Sequence, residues 1–341
     1  MIDFIKRASV VALVALLSAP ALAATQLIGA GSTFDNPFFS KAFYQYNQMH
    51  NDVAVNYQSI GSGGGIQQFT AKTVDFGATD VPMNADELKR AGGNVLQIPV
   101  ALGGVAVSYN LPGIHSGVRL TRALLADIFL GRVTKWNDPQ ITRLNRGTNL
   151  PSLSIVVAHR SDGSGTTYIF SDFLSHISPE WKSKVGTGKS VQWPAGSSVG
   201  GKGNEGVAGI VRNTPGAIGY VELAYAIENH IDTAALLDRA GDWVNCSKPT
   251  VAAAAASKAN ITAQDFSIVD AGGKRAYPIA GYSWAVVYRD PSDKNRARVL
   301  RDVLSWLVGG QAQGIASSLN YVPLPAAVQR TAVSVIRQMS V

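Results

Sequence analysis

Cysteine is all but missing: Cys246 is the only one in 341 residues. With no intramolecular disulfide available, the core alone must hold the fold. Charged residues are sparse at 16%, while apolar residues make up 46%. That balance excludes global disorder and supports a sizeable core. Long hydrophobic runs are also lacking. The N-terminal run Val10–Leu17 has eight apolar residues, against the roughly 20 that a membrane span needs. Basic stretches stop at pairs such as Lys89-Arg90 and Lys274-Arg275, with no aromatics interleaved. The net charge of +7 therefore reads as dispersed surface charge, and nucleic acid is not an expected partner. The five histidines form no i, i+4 pair and no zinc-binding spacing, so neither a metal nor a hydrolase triad is expected.

What is present begins with an export signal. Lys6 and Arg7 precede the short apolar run, and Ala21-Leu22-Ala23 supplies a small-x-small cleavage site. Residues 1–23 are expected to be a signal peptide, leaving 24–341 as the mature chain. Losing Asp3, Lys6 and Arg7 with the leader lowers the net charge to about +6. An exported chain without disulfides fits a bacterial periplasm better than a small, stapled extracellular domain.

Strand-like and helix-like patterns then alternate. Val53–Ile60, Asn94–Val100, Val105–Tyr109, Ser154–Ala158, Ala217–Val221 and Ala285–Tyr288 read as strands. Phe38–Tyr46, Ile66–Lys72, Thr121–Leu130 and Tyr168–Leu174 read as helices, and Val299–Leu307 carries helical spacing. This alternation predicts an α/β architecture with partly parallel sheets, whose ligands sit beyond the carboxyl ends of strands. Gly103-Gly104 and Gly281 are candidate crossing points between two domains.

The most informative stretch is His159-Arg-Ser-Asp-Gly-Ser-Gly-Thr-Thr-Tyr168. It brings a guanidinium, a carboxylate, hydroxyls and two glycines to the start of a helix. Backbone N–H groups there lack intrahelical partners, and the helix dipole favours negative charge. The fork of Arg160 matches two oxygens of a tetrahedral anion. Two further loops, Ala30-Gly-Ser-Thr-Phe34 and Gly61-Ser-Gly-Gly-Gly65, share this character. Each alone reads as ordinary N-capping, but three together beside an Arg/Asp pair point to a shared anion site.

A fourth loop carries Asp80, followed by Pro82 and the possible capping box Asn84-x-x-Glu87. Asp80 is either a loop-capping carboxylate or an acceptor for an acidic proton on the ligand. Gly201-x-Gly203-x-x-Gly206 spells a dinucleotide pattern, yet Trp193-Pro194 interrupts any strand leading into it. A glycine-rich loop over a surface or interface is the expectation there. His159 reads as structural. At this level phosphate and sulfate, and binding and catalysis, stay unseparated.

The stretches Gly29–Phe34, Asn56–Gly64, Val74–Asp80, Arg160–Thr166, Val185–Gly188, Gly200–Asn204 and Pro215–Glu222 resemble, in order, the periplasmic phosphate-binding proteins of the phosphate ABC importer, the PstS family. The resemblance implies a two-lobed, type II-like α/β clamshell with two chain crossings. Lobe I would comprise 24–101 plus 282–341, and lobe II 102–281. It implies that Thr33 and Phe34 supply hydroxyl and backbone donors, as does Ser62. Arg160 would pair with ligand oxygens while held by Asp162. Ser164, Gly165 and Thr166 would donate from the second lobe, and Asp80 would accept the phosphate proton. The partners implied are inorganic phosphate and the inner-membrane permease subunits, with the protein a monomer and no cofactor or catalysis. The alternatives are a binder of another oxyanion such as sulfate, and an exported phosphatase or phosphoryl-transfer enzyme. Ser32 and Ser161 stand where the family often has alanine, and 239–275 looks divergent.

Overall fold

The structure, a computed structural model, describes residues 24–341. The expected signal peptide lies outside them. The strands in chain order are β1 (Thr25–Gly31), β2 (Val53–Ser59), β3 (Phe76–Thr79), β4 (Val95–Tyr109), β5 (Arg119–Leu120), β6 (Val156–Arg160), β7 (Ser198–Gly201), β8 (Ala217–Glu222), β9 (Asp232–Thr233), β10 (Ala235–Leu237), β11 (Trp243–Val244) and β12 (Ala280–Tyr288). The large sheet runs β2-β1-β3-β12-β4-β8-β6-β7, with β9 against β4; β11-β10-β5 form a small second sheet.

β4 decides the architecture. Its first half pairs antiparallel with β12, from Val95 opposite Tyr288 to Gly104 opposite Ala280. From Val105 onward it pairs with β8 instead. The chain thus passes between two half-sheets in β4 and returns at the start of β12. The sequence suggested two strands, 94–100 and 105–109; they are one, because Gly103 and Gly104 continue the extended run rather than turn it. Nearly every β4 residue is buried, as expected for a strand covered on both faces. A bulge opposite Ser283 and Trp284 falls where Pro99 has no N–H to offer the ladder.

On either side of this seam the strands are largely parallel: β1 with β2 and β3, and β6 with β7 and β8. Each parallel strand needs a crossover, and helices provide it. Asn36–Met49 follows β1, Ser62–Thr70 follows β2, Ala85–Arg90 follows β3, Gly165–Ile177 follows β6 and Gly203–Asn213 follows β7. One apolar cluster spans both half-sheets, with Trp136, Trp181, Trp284 and Phe34 fully buried in it. Buried Cys246 packs in the same cluster as a thiol, pushed well above its ordinary pKa by burial.

Two expectations change. The glycines after β2 are not a loop before a helix at Ile66; they form the first turn of Ser62–Thr70 itself. Trp193-Pro194 does not prevent a strand, for β7 starts at Ser198 and leads through a tight turn into Gly203–Asn213. The 201–206 segment is therefore a strand–turn–helix junction rather than a loop, and of the two settings expected, surface or interface, it takes the interface, with Asn204 buried against Thr33. The five alanines Ala252–Ala256 end a helix, Lys248–Ala256.

Candidate functional site

The carboxyl ends of β1, β2, β3, β6 and β7 meet where the two half-sheets face each other. Each is followed by a helix N-terminus, so unpaired backbone N–H groups and short polar side chains collect there. The backbones of the two sides touch: Gly63 N–H donates to Gly163 O at 2.8 Å. At Gly61, with φ +86°, a Cβ would lie 2.1 Å from Asp162 Oδ2, so only glycine fits.

Asp80 is the hub. It leaves β3 fully buried, its Oδ1 accepting from the Ser32 hydroxyl and from Ser283 Oγ at 3.0 Å. Its Oδ2 accepts from Thr166 Oγ1 at 3.2 Å across the interface. Ser62 Oγ accepts from two backbone N–H groups, Gly165 at 3.1 Å and Asp80 at 3.3 Å, joining the same two sides. Ser164 is turned to a local task, capping its helix by accepting from Thr167 N–H at 3.0 Å.

Arg160 ends β6 with a side chain only 1% exposed. Its Nε and Nη2 donate to the two oxygens of Asp162 at 2.7 and 2.6 Å, a bidentate clamp. Its Nη1 remains directed into the site, 3.5 Å from Thr166 Oγ1. Burial pulls the guanidinium toward neutrality, but the Asp162 hydrogen bonds and charge outweigh it and leave Arg160 above its ordinary pKa. Burial likewise raises Asp162, and the Arg160 hydrogen bonds and charge, with the Gly203 N–H, reverse that to a value below the ordinary carboxylate range.

Thr33 Oγ1 accepts from Asn204 N–H at 3.1 Å and from its Nδ2 at 2.8 Å. Phe34 contributes main chain only, its ring being buried edge-on to Tyr321. All nine expected residues thus gather in one region, seven of them through side chains bonded to one another or to neighbouring backbone, and Phe34 and Gly165 through main chain.

The sequence reading missed Ser32, Asp35, Asn204 and Ser283. Asn204 Nδ2 also donates to Thr166 at 3.2 Å, so it ties both sides together. Its signal was present, since it closes the Gly200–Asn204 stretch. Ser32 looked like a tolerated replacement for alanine; here it donates to Asp80. Ser283 lies mid-strand, where no motif marks it. His159 stacks on Trp193 with ring centroids 5.1 Å apart, and its Nδ1 lies 3.0 Å from the main-chain oxygen of Arg160, a local backbone contact in keeping with a structural role. Gly196–Gly200 also spells G-x-S-x-G. Ser198 opens edge strand β7 instead of standing at a strand-to-helix turn, so no nucleophile elbow forms. Among the described residues no His/Cys/Asp/Glu group could hold a metal ion, and no helix is long and apolar enough to cross a membrane.

Two half-sheets joined by two crossings around a buried, donor-lined seam define a two-lobed solute-binding protein. Residues 18–311 match the family model described as a PBP superfamily domain. A relative from Xylella fastidiosa (strain 9a5c), named phosphate-binding protein PstS, is 47% identical over 90% of this chain and 84% of its own length. One of the same name from Pasteurella multocida is 43% identical over 95% and 93%. Among solved structures, a periplasmic phosphate-binding protein bound with phosphate (PfluDING) aligns at TM-score 0.70, 19% identity, covering 91% of this chain and 93% of that one. A Clostridium perfringens substrate-binding protein with bound phosphate aligns at TM-score 0.65, 18% identity, covering 88% and 99%. The chain belongs to the PstS family of phosphate-binding proteins. Its curated relatives are named as binding proteins, not as enzymes.

Proposed function

We propose that this protein is an exported, periplasmic monomer that binds inorganic phosphate between its lobes and delivers it to the inner-membrane permease of an ABC importer, without catalysis. The lobes of this reading are 24–101 with 282–341, and 102–281. The names of the relatives support the ligand, and the observation that carries the chemistry is Asp80. It is one buried carboxylate in a ring of hydroxyl and N–H donors supplied from both sides, with Arg160 beside it.

Near neutral pH, phosphate still carries a proton and sulfate does not. A fixed carboxylate accepts a hydrogen bond from P–OH but meets sulfate with an unpaired, repelled acceptor. Sites that pair a buried polar group with its ligand discriminate by on the order of 10⁴–10⁵. Thr33, Ser62, Gly165, Thr166, Asn204 and Arg160 provide the opposing donors. They bond to one another across the seam, and an entering oxyanion exchanges those contacts for its own oxygens. Asp162 holds Arg160 in place and offsets part of its charge, so the ligand is recognised by many dipoles and not by one strong ion pair. Closure around the anion excludes water and strengthens each bond.

Titration calorimetry tests this. Phosphate binds tightly and sulfate at least ~10³-fold more weakly; comparable affinities would sink the argument from Asp80. Asp80→Asn narrows the gap by loss of phosphate affinity and gain of sulfate. Arg160→Ala weakens both anions by roughly 100-fold or more.

A further inference from the structure

Asp35 is a fully buried carboxylic group with no assigned part in the site. It stands at the N-cap of Asn36–Met49, where an aspartate ordinarily accepts from the helix N–H groups, yet its side chain makes no capping bond. It turns inward to β12 instead. Asp35 Oδ2 lies 2.5 Å from Ser283 Oγ, and Oδ1 has no hydrogen-bond partner among the described residues.

The argument is a proton count at Ser283. Its hydroxyl carries one proton, and three acceptor oxygens surround it: Asp35 Oδ2, Asp80 Oδ1 at 3.0 Å and Thr79 O at 3.2 Å. Were both carboxyls ionised, one would face the Ser283 oxygen lone pair to lone pair. Asp35 would then be a buried anion without a cation, a strongly unfavourable state. A proton on one carboxyl resolves this. Burial raises Asp80 above its ordinary value too, but the hydroxyls of Ser32, Ser283 and Thr166 and the charge of Arg160 work against that and support its ionised form, whereas Asp35 has Ser283 alone. Burial, then the charge of Asp80, also push Asp35 well above the ordinary carboxylate range. The other titratable groups that feel Asp35 are half-buried Tyr57 and buried Glu222 and Tyr321, none of them cationic.

We infer that Asp35 is a neutral carboxylic acid that donates to Ser283, which donates to Asp80, and that this relay positions Asp80 as the site's single acceptor charge. Asp80 Oδ1 is then filled by two hydroxyls, and Oδ2 is left to face Thr166 and the ligand. Asp35 touches no ligand itself; it acts through Ser283.

The positioning role rests on the phosphate reading above, and the protonation does not. Wild-type protein carrying ¹³C-carboxyl-labelled aspartate is examined by infrared spectroscopy at neutral pH. One protonated-aspartate C=O band is expected, absent from Asp35→Asn; a wild type without that band overturns the inference. In calorimetry Asp35→Asn, whose amide can also donate to Ser283, is expected to keep phosphate affinity within about threefold, while Asp35→Ala loses at least about tenfold. A tenfold gain in phosphate affinity with new sulfate binding in Asp35→Asn would mean that a charge had been removed, and overturns the inference, as does unchanged affinity in Asp35→Ala. Failure of the wild type to bind phosphate would defeat the proposed function and leave the infrared result to decide Asp35.

Discussion

Gly165 shows how little room the seam leaves at the scale of one residue. A Cβ there would sit 2.5 Å from Asp80 Cβ and 2.7 Å from Asp80 Oδ2. Both contacts are with a side chain pinned by three hydroxyls, so neither can yield cheaply. Gly165→Ala is expected to cost about 1–3 kcal/mol of closure, roughly tenfold to a hundredfold in phosphate Kd. Calorimetry measures this, and the melting temperature should hardly move, because the clash exists only where the two sides meet. The residues of the Arg160–Thr166 turn were legible in the sequence because their types and spacing are local. Ser32, Asp35 and Ser283 were not: a lone Ser or Asp has no pattern, and only a neighbour 48 to 248 residues away reveals its task.

At the scale of elements, the strand–loop–helix units explain why short polar residues recur at one place. A helix start exposes N–H groups, and five such starts aim at one seam. Helix Ala85–Arg90 adds a link of a different kind. Its capping residue Glu87 accepts from Asn84 N–H at 2.9 Å and also pairs with Lys189, whose Nζ is 2.6 Å from Glu87 Oε1. Lys189 belongs to the other side, where its carbonyl accepts from Ser164 N–H at 2.8 Å. Both side chains are largely buried, so the pair resists screening better than a surface bridge. Glu87→Gln keeps the capping box, for which glutamine also serves, and removes the ion pair. It and Lys189→Met are each expected to speed phosphate release about five- to thirtyfold, with no further effect in combination. Stopped-flow release measurements check this, and equal, additive effects would show that the two residues act independently. Glycine disfavours helices, so the glycine-rich run after β2 gives no helical signal of its own. Tertiary packing overrides that propensity: a Cβ on Gly65 would meet Gly31 Cα at 2.4 Å, so the helix can lie against β1 only if that face is bare.

At the scale of the whole molecule, several acids are buried near the crossings. Glu222 ends β8 fully buried, with Oε2 accepting from Ala224 N–H at 2.7 Å and Oε1 without a partner among the described residues. Burial raises it well above the ordinary glutamate value of 4.5, and the Ala224 N–H only partly offsets this. A carboxyl raised on folding binds its proton more tightly in the folded than in the unfolded chain. Its contribution to stability is therefore fully present below the ordinary value and is lost as pH rises through the raised one, by up to about 1.4 kcal/mol per pH unit per group. Asp162, lowered by Arg160, works in the opposite sense: its stabilisation is present above the ordinary range and disappears as pH falls through its lowered value. Urea unfolding from mildly acidic to neutral pH is expected to show stability declining on the upper limb. Glu222→Gln should flatten that decline and raise stability at neutral pH; an unchanged slope would mean that Glu222 is not the group responsible.

The sequence by itself determined the α/β class, the turns that end in helix starts, and the residue types of an anion site, because those depend on periodicity and on neighbours within a few positions. It also carried the family, through motifs kept in order along the chain. The tertiary structure alone decided that β4 is one strand serving two half-sheets, that β7 exists, and that Asp35, Ser283 and Asp80 share a proton's worth of hydrogen bonding. Those outcomes depend on which distant segments are brought within about 3 Å in a buried interior, where an unpaired polar group is costly.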